Sequence, residues 1–158
     1  MKNLIITTLL LFSFSITKAQ DTNPELVASI HEMLNDCSYY EVSEEMFKAV
    51  AEDERLQGSE YINYLEKIRF LIFVECPMDR KGFFEEFVAR ADLRGFKVMM
   101  RSKSASEQFT FYRQTKGDLN SYLLVHNRGV SYIVTQLKIS SLQELSQIVQ
   151  MAGSMGAG

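Results

Sequence analysis

The sequence predicts an α+β fold: a mainly antiparallel sheet ending in a C-terminal four-strand meander, with helices packed on one face. Three observations carry that expectation. Helical spacing of apolar residues dominates the chain before residue 95, period-two alternation dominates residues 96 to 139, and a last amphipathic segment follows.

The elements follow in order. Asn23 before Pro24 is an N-cap with a first-turn proline behind it, and Leu26, Val27, Ile30, Met33 and Leu34 recur at helical spacing. Ser38 to Val42 is short, aromatic and β-branched, which makes a strand, and Ser43 then caps a helix whose Met46, Phe47 and Val50 share a face. Gly58 breaks the chain before Ser59, which caps a short helix with Tyr61, Ile62, Leu65 and Ile68 on one side. The run from Ile68 to Val74 is apolar apart from Arg69, the composition of a strand buried on both faces. Asp79 caps the next helix, whose Phe83, Phe84, Phe87, Val88 and Ala91 make a broad apolar stripe ending at Gly95.

Four alternating segments make the meander: Phe96 to Arg101, Gln108 to Thr115, Asn120 to His126 and Val130 to Ile139. Turn compositions of hairpin length separate them, at Ser102 to Ser106, Lys116-Gly117-Asp118 and Asn127-Arg128-Gly129. Ser141 caps a closing helix that turns Leu142, Leu145, Ile148 and Val149 inward. The helices at 79–94 and 141–152 are the expected cover of the sheet. Tyr122 to Val125 are all apolar, so part of the second face is expected to be hidden or to serve as a contact surface. Residues 20–152 read as a single domain, without an internal repeat, and 153–158 as a flexible tail.

The first nineteen residues have the layout of a secretory signal peptide: a basic start at Lys2, an uncharged run from Leu4 to Ile16, and a short exit through Thr17 and Ala19. The cut is expected after Ala19, with Gln20 as the nearest rival. A membrane anchor is the alternative, but 13 residues of helix reach about 20 Å against a hydrocarbon core of about 30 Å. A lipoprotein needs a cysteine at the cut, and the first cysteine is Cys37. The expectation is an exported domain, periplasmic or extracellular, without a lipid anchor and without a transmembrane segment after cleavage.

Loss of Lys2 and Lys18 leaves 15 basic residues against 20 acidic, a formal charge of −5. That balance argues against nucleic acid as a partner.

Cys37 and Cys76 are the only cysteines, and export puts them where a disulfide persists. They meet only if the strands that they flank run antiparallel and lie close together. The pair is either bridged or two small buried thiols. His31 and His126, the only histidines, stand at no recognised metal spacing. The methionines, including Met99-Met100 and Met151 with Met155, raise soft-metal capture but fit core filling and adaptable contact surfaces better. Glu41, Glu44, Glu45, Glu52, Asp53 and Glu54 cluster, and a solvated face with helix-dipole pairing accounts for them. After residue 19 no Gly-x-Ser-x-Gly elbow, Ser-x-x-Lys motif or Gly-rich phosphate loop occurs. The expectation is a non-enzymatic domain with no cofactor.

The Ala19-Gln20 exit, the step Val42-Ser43-Glu44-Glu45-Met46-Phe47, the buried strand from Ile68 and the Phe96-to-Ile139 meander with its terminal helix are pattern features. Together they make the whole mature chain similar to a family of small secreted proteins of unknown function found mostly in Bacteroidetes, domain of unknown function 4252. That family often has a Gly-Asp-Ile-Asp-like stretch before its last helix, where this chain reads Lys138-Ile139-Ser140-Ser141-Leu142. The resemblance implies an exported α+β domain without established activity, encoded near envelope-signalling sigma-factor systems, and it defines no site residues.

Two functional expectations follow. The first is an interaction module for an unknown envelope protein, with Phe109, Phe111, Tyr112, Tyr122 and Tyr132 as a contact surface. The second is a binder of a small apolar ligand between helices and sheet, which requires a cavity of several hundred Å³. A hydrolase would need a cleft with converging serine, histidine or carboxylates, which the motifs do not predict.

Overall fold

A computed structural model describes residues 22–56, 58 and 62–156. The signal-peptide expectation and the last two residues of the tail lie outside the described residues. The elements run α1 (Pro24–Glu32), β1 (Ser38–Ser43), α2 (Glu44–Ala51), a 3-10 turn (Glu54–Leu56), α3 (Ile62–Leu65), β2 (Ile68–Glu75), α4 (Phe83–Arg90), β3 (Lys97–Lys103), β4 (Gln108–Lys116), β5 (Leu119–His126), β6 (Gly129–Thr135) and α5 (Leu142–Gly156). The fold is α+β. Six strands form one antiparallel sheet in the order β1-β2-β6-β5-β4-β3, and β3 to β6 are the expected meander.

Local chemistry explains most boundaries. The Ser43 hydroxyl accepts the Met46 N–H at 3.4 Å and starts α2. At the head of α5, the Ser141 hydroxyl accepts the Glu144 N–H at 3.2 Å, while the Glu144 carboxylate accepts the Ser140 N–H at 3.0 Å. Helix α4 is shorter than expected and starts at Gly82 rather than Asp79. Its end is displaced by a loop in which Asp92 takes the Arg94 N–H and side chain, and Gly95 turns with φ 82°. Strand β6 stops at Thr135 rather than Ile139, because the Thr135 hydroxyl accepts the Leu137 N–H at 3.0 Å and donates to the Lys67 carbonyl at 2.9 Å. Asn23 does not cap α1 with its side chain. Its amide donates to the Tyr132 hydroxyl at 2.8 Å instead, and its oxygen accepts from Lys116 at 2.8 Å, which ties the start of α1 to the sheet.

Helices cover both faces of the sheet, not one. On the first face α1 and α4 set Leu26, Ile30, Phe83 and Phe87 against Ile72, Leu123, Val125 and Tyr132. On the second, α2, α3 and α5 set Phe47, Leu65, Leu145, Ile148 and Ala152 against Leu71, Phe111, Tyr122 and Ile133. The two helices expected as a single cover therefore sit on opposite sides. The reason is visible in β2, β5 and β6, whose successive residues alternate between the two clusters and leave no wet face. Each fully buried Phe or Leu contributes about 1.5–3 kcal/mol on this account. Helix α5 also runs beyond 152 to Gly156, taking in most of the residues expected as tail. Gly153 allows this close seating, since a β-carbon there would sit 3.1 Å from the Tyr40 hydroxyl.

Candidate functional site

The second face is not filled from end to end. Its rows are set by register: Tyr40 lies opposite Phe73, Phe73 opposite Ser131, Ser131 opposite Leu124, and Leu124 opposite Phe111. The next row outward is Glu75, Gly129, His126 and Phe109. Helix α5 crosses above them, and Leu145, Ser146, Val149, Gln150 and Gly153 form the roof of a slot of about 330 Å³ over Tyr40, Phe73, Leu124 and Ser131. That volume falls in the range of small-molecule sites.

The slot is apolar with a few polar points. Tyr40 and Phe73 stack with ring centroids 5.2 Å apart, and the Tyr40 hydroxyl donates to the Val149 carbonyl at 3.0 Å. Burial raises the Tyr40 pKa. Ser131 is only 4% exposed and lines the slot between Phe73 and Leu124.

Glycine 129 shapes the mouth. A β-carbon there would run into the Val74 carbonyl and sit 3.1 Å from the His126 ring. The imidazole therefore lies over a residue with no side chain and faces Glu75, with Nε2 3.9 Å from the carboxylate. Glu75 is also paired to Arg128 at 3.0 Å. Burial pushes the His126 pKa below its ordinary value; Glu75 opposes that shift and Arg128 adds to it. His126 and Leu124 also border a larger open groove of about 910 Å³, which runs past Arg80, Lys103, Phe109 and Arg128. Serine, histidine and glutamate do converge here, but His126 forms no hydrogen bond with Ser131 or Ser146 among the described residues. The arrangement supplies hydrogen-bonding points around the slot and its mouth.

No protein-family model, curated protein or solved structure matches the chain.

Cys37 and Cys76 are joined in a disulfide. Ser38 pairs with Glu75, so the two cysteines stand opposite one another one step beyond the antiparallel β1–β2 ladder. Closing a loop of 39 residues contributes about 4 kcal/mol in the chain-entropy account. Arg80 Nη1 lies 3.0 Å from Cys37 Sγ and 3.8 Å from Cys76 Sγ.

The aromatic contact surface is corrected. Phe111, Tyr112, Tyr122 and Tyr132 are 4%, 6%, 0% and 0% exposed, and Phe109 is half-buried at the mouth of the larger groove. Alternating aromatics fill two cores once both faces are covered. The exposed apolar residues of the meander are instead Val98, Met99 and Met100 on β3, which lies at the sheet edge with all seven residues exposed. His31 pairs with Glu41 at 3.1 Å, Glu44 with Lys48 and Arg69, and Asp53 with Arg55. No group of three metal-ligating side chains occurs among the described residues.

Sequence reasoning passed over Ser131, Gly129, Tyr40 and Arg80. One signal was present: Ser131 is the single serine or threonine inside the run from Val130 to Val134.

Proposed function

We propose that this chain is an exported, non-enzymatic binding domain that holds a small, mainly apolar ligand in the slot between α5 and the sheet. The observation that carries the reading is the slot itself, about 330 Å³ of space beneath α5 with the buried Ser131 among its lining residues. Tyr40, Phe73, Leu124 and Val149 supply the apolar walls, and His126 offers a neutral polar edge at the mouth. Export belongs to the same proposal and rests on the N-terminal pattern; membership of the secreted Bacteroidetes family belongs to it too and rests on that exit together with the Val42-to-Phe47 step, the strand from Ile68 and the meander with its terminal helix.

The test is titration with the neutral fluorescent probe N-phenyl-1-naphthylamine. Saturable binding of one probe per chain is expected, with loss in a slot-filling Ser146→Trp variant that keeps its melting temperature. Absence of saturable binding, or equal binding by the folded filled variant, defeats the reading.

A second reading places an envelope protein partner at the β3 edge, favoured by the exposure of Val98, Met99 and Met100 beside an unpaired strand edge. A photo-crosslinker at position 99 should then give a protein adduct in cells, and one at position 111 should not. Equal yields at the two positions would count against it.

A further inference from the structure

Arg80 is fixed in place. Its guanidinium donates to the carbonyls of Met33 at 3.0 Å and Asn35 at 2.7 Å, reaches Glu86 at 3.4 Å, and lies over the Phe83 ring at 5.2 Å. Holding the turn that follows α1 accounts for the two backbone bonds. It does not require contact with both sulfurs at 3.0 and 3.8 Å.

We propose that Cys37–Cys76 is an exchangeable disulfide, reduced by a dithiol through attack on Cys37, with Arg80 stabilising the thiolates that reduction releases. A guanidinium keeps its charge at every working pH. A cation beside a cysteine favours the thiolate, and stabilising the reduced form makes a disulfide more oxidising.

Access decides which sulfur is attacked. Cys76 is 2% exposed, whereas Cys37 is half-buried at the end of the sheet. Arg80 itself lines the open groove of about 910 Å³, and Met78 stands on its rim, 84% exposed. A reductant seated in that groove meets Arg80 first.

The step balances as ordinary exchange. The incoming thiolate forms a bond to Cys37 Sγ, the Cys37–Cys76 bond breaks, and its electron pair leaves on Cys76 Sγ beside Arg80. The second thiolate of the reductant then attacks its own sulfur in the mixed disulfide and releases Cys37 as a thiolate. Two electrons pass to the cysteine pair, and the reductant ends as a disulfide.

Equilibration with reduced and oxidised glutathione, followed by alkylation and mass measurement, reads the exchange constant. Arg80→Met should move it about tenfold toward the disulfide, or about 30 mV, and Arg80→Lys should recover part of the shift. Glu86→Gln, which frees the guanidinium of its carboxylate, should move it the other way. In the reduced protein Cys37 should alkylate with an apparent pKa below the usual value of about 8.5. Constants that agree within about threefold across the wild type, Arg80→Met and Glu86→Gln overturn the proposal. So does an Arg80→Met variant whose only change is a lower melting temperature, since Arg80 then serves α1 alone. If Arg80→Met does not fold, the Glu86→Gln shift supports the proposal and its absence overturns it.

Discussion

The hydroxyl of Tyr122 accepts the buried Ile139 N–H at 2.8 Å and donates to the Leu137 carbonyl at 3.2 Å. One side chain of β5 thus satisfies a backbone donor and a backbone acceptor of the segment that carries the chain from β6 to α5. Tyr122→Phe keeps the ring stacked on Phe111 but leaves the Ile139 amide unpaired. The expected loss is about 1–3 kcal/mol, measured by urea unfolding, with the m-value unchanged.

Gly129→Ala tests the close approach at the mouth. The new methyl meets the Val74 carbonyl, which is backbone and cannot swing aside, and crowds the His126 ring. A destabilisation of about 1–3 kcal/mol is expected. Gly58→Ala lies in open space by contrast, and its cost comes from a positive φ alone.

Ser131→Ala separates stability from binding. The hydroxyl borders the slot rather than the packed core, so its removal should leave stability about level. Probe affinity should fall. Equal affinity in the two proteins would show that the hydroxyl does not face the ligand.

The pH dependence has a defined sign. His126 titrates below its ordinary value of 6.5 in the folded chain, through burial first. Between the folded value and the unfolded value, near 6.5, the unfolded chain binds more protons, so this group's contribution is present above that window and is lost as pH falls through it. Unfolding free energies measured from pH 7 to pH 5 should therefore decline, and His126→Gln should flatten the decline. Asp53 and Asp92 are each lowered to about 2 by side-chain hydrogen bonds from Arg55 and Arg94. Carboxylate titration by NMR should find both well below other aspartates, and Arg55→Leu should return Asp53 toward 3.8.

Where local chemistry decides, the sequence is readable. Ser43 and Ser141 cap the helices expected of them, and the turn residues of the meander mark three hairpins. The continuous apolar run from Tyr122 to Val125 points to a second covered face, yet it does not say which helix covers it. That assignment depends on long-range pairing: β2 joins β6 across the whole meander, which no local pattern encodes. The slot was hidden for the same reason. Tyr40, Phe73, Ser131 and Leu124 come from four strands and share a row only once register is known. Asn23 misled because its side chain has two uses, and the tie to Tyr132 displaced the cap.

The strand order has a consequence for how the chain matures. Strand β6 is the last strand synthesised, yet it sits third in the sheet and hydrogen-bonds both β2 and β5. Until it emerges, the early hairpin and the rest of the meander are two separate ribbons with unpaired edges, neither of which can close a core. Such non-local pairing folds slowly. A chain built this way stays open until nearly all of it has been made.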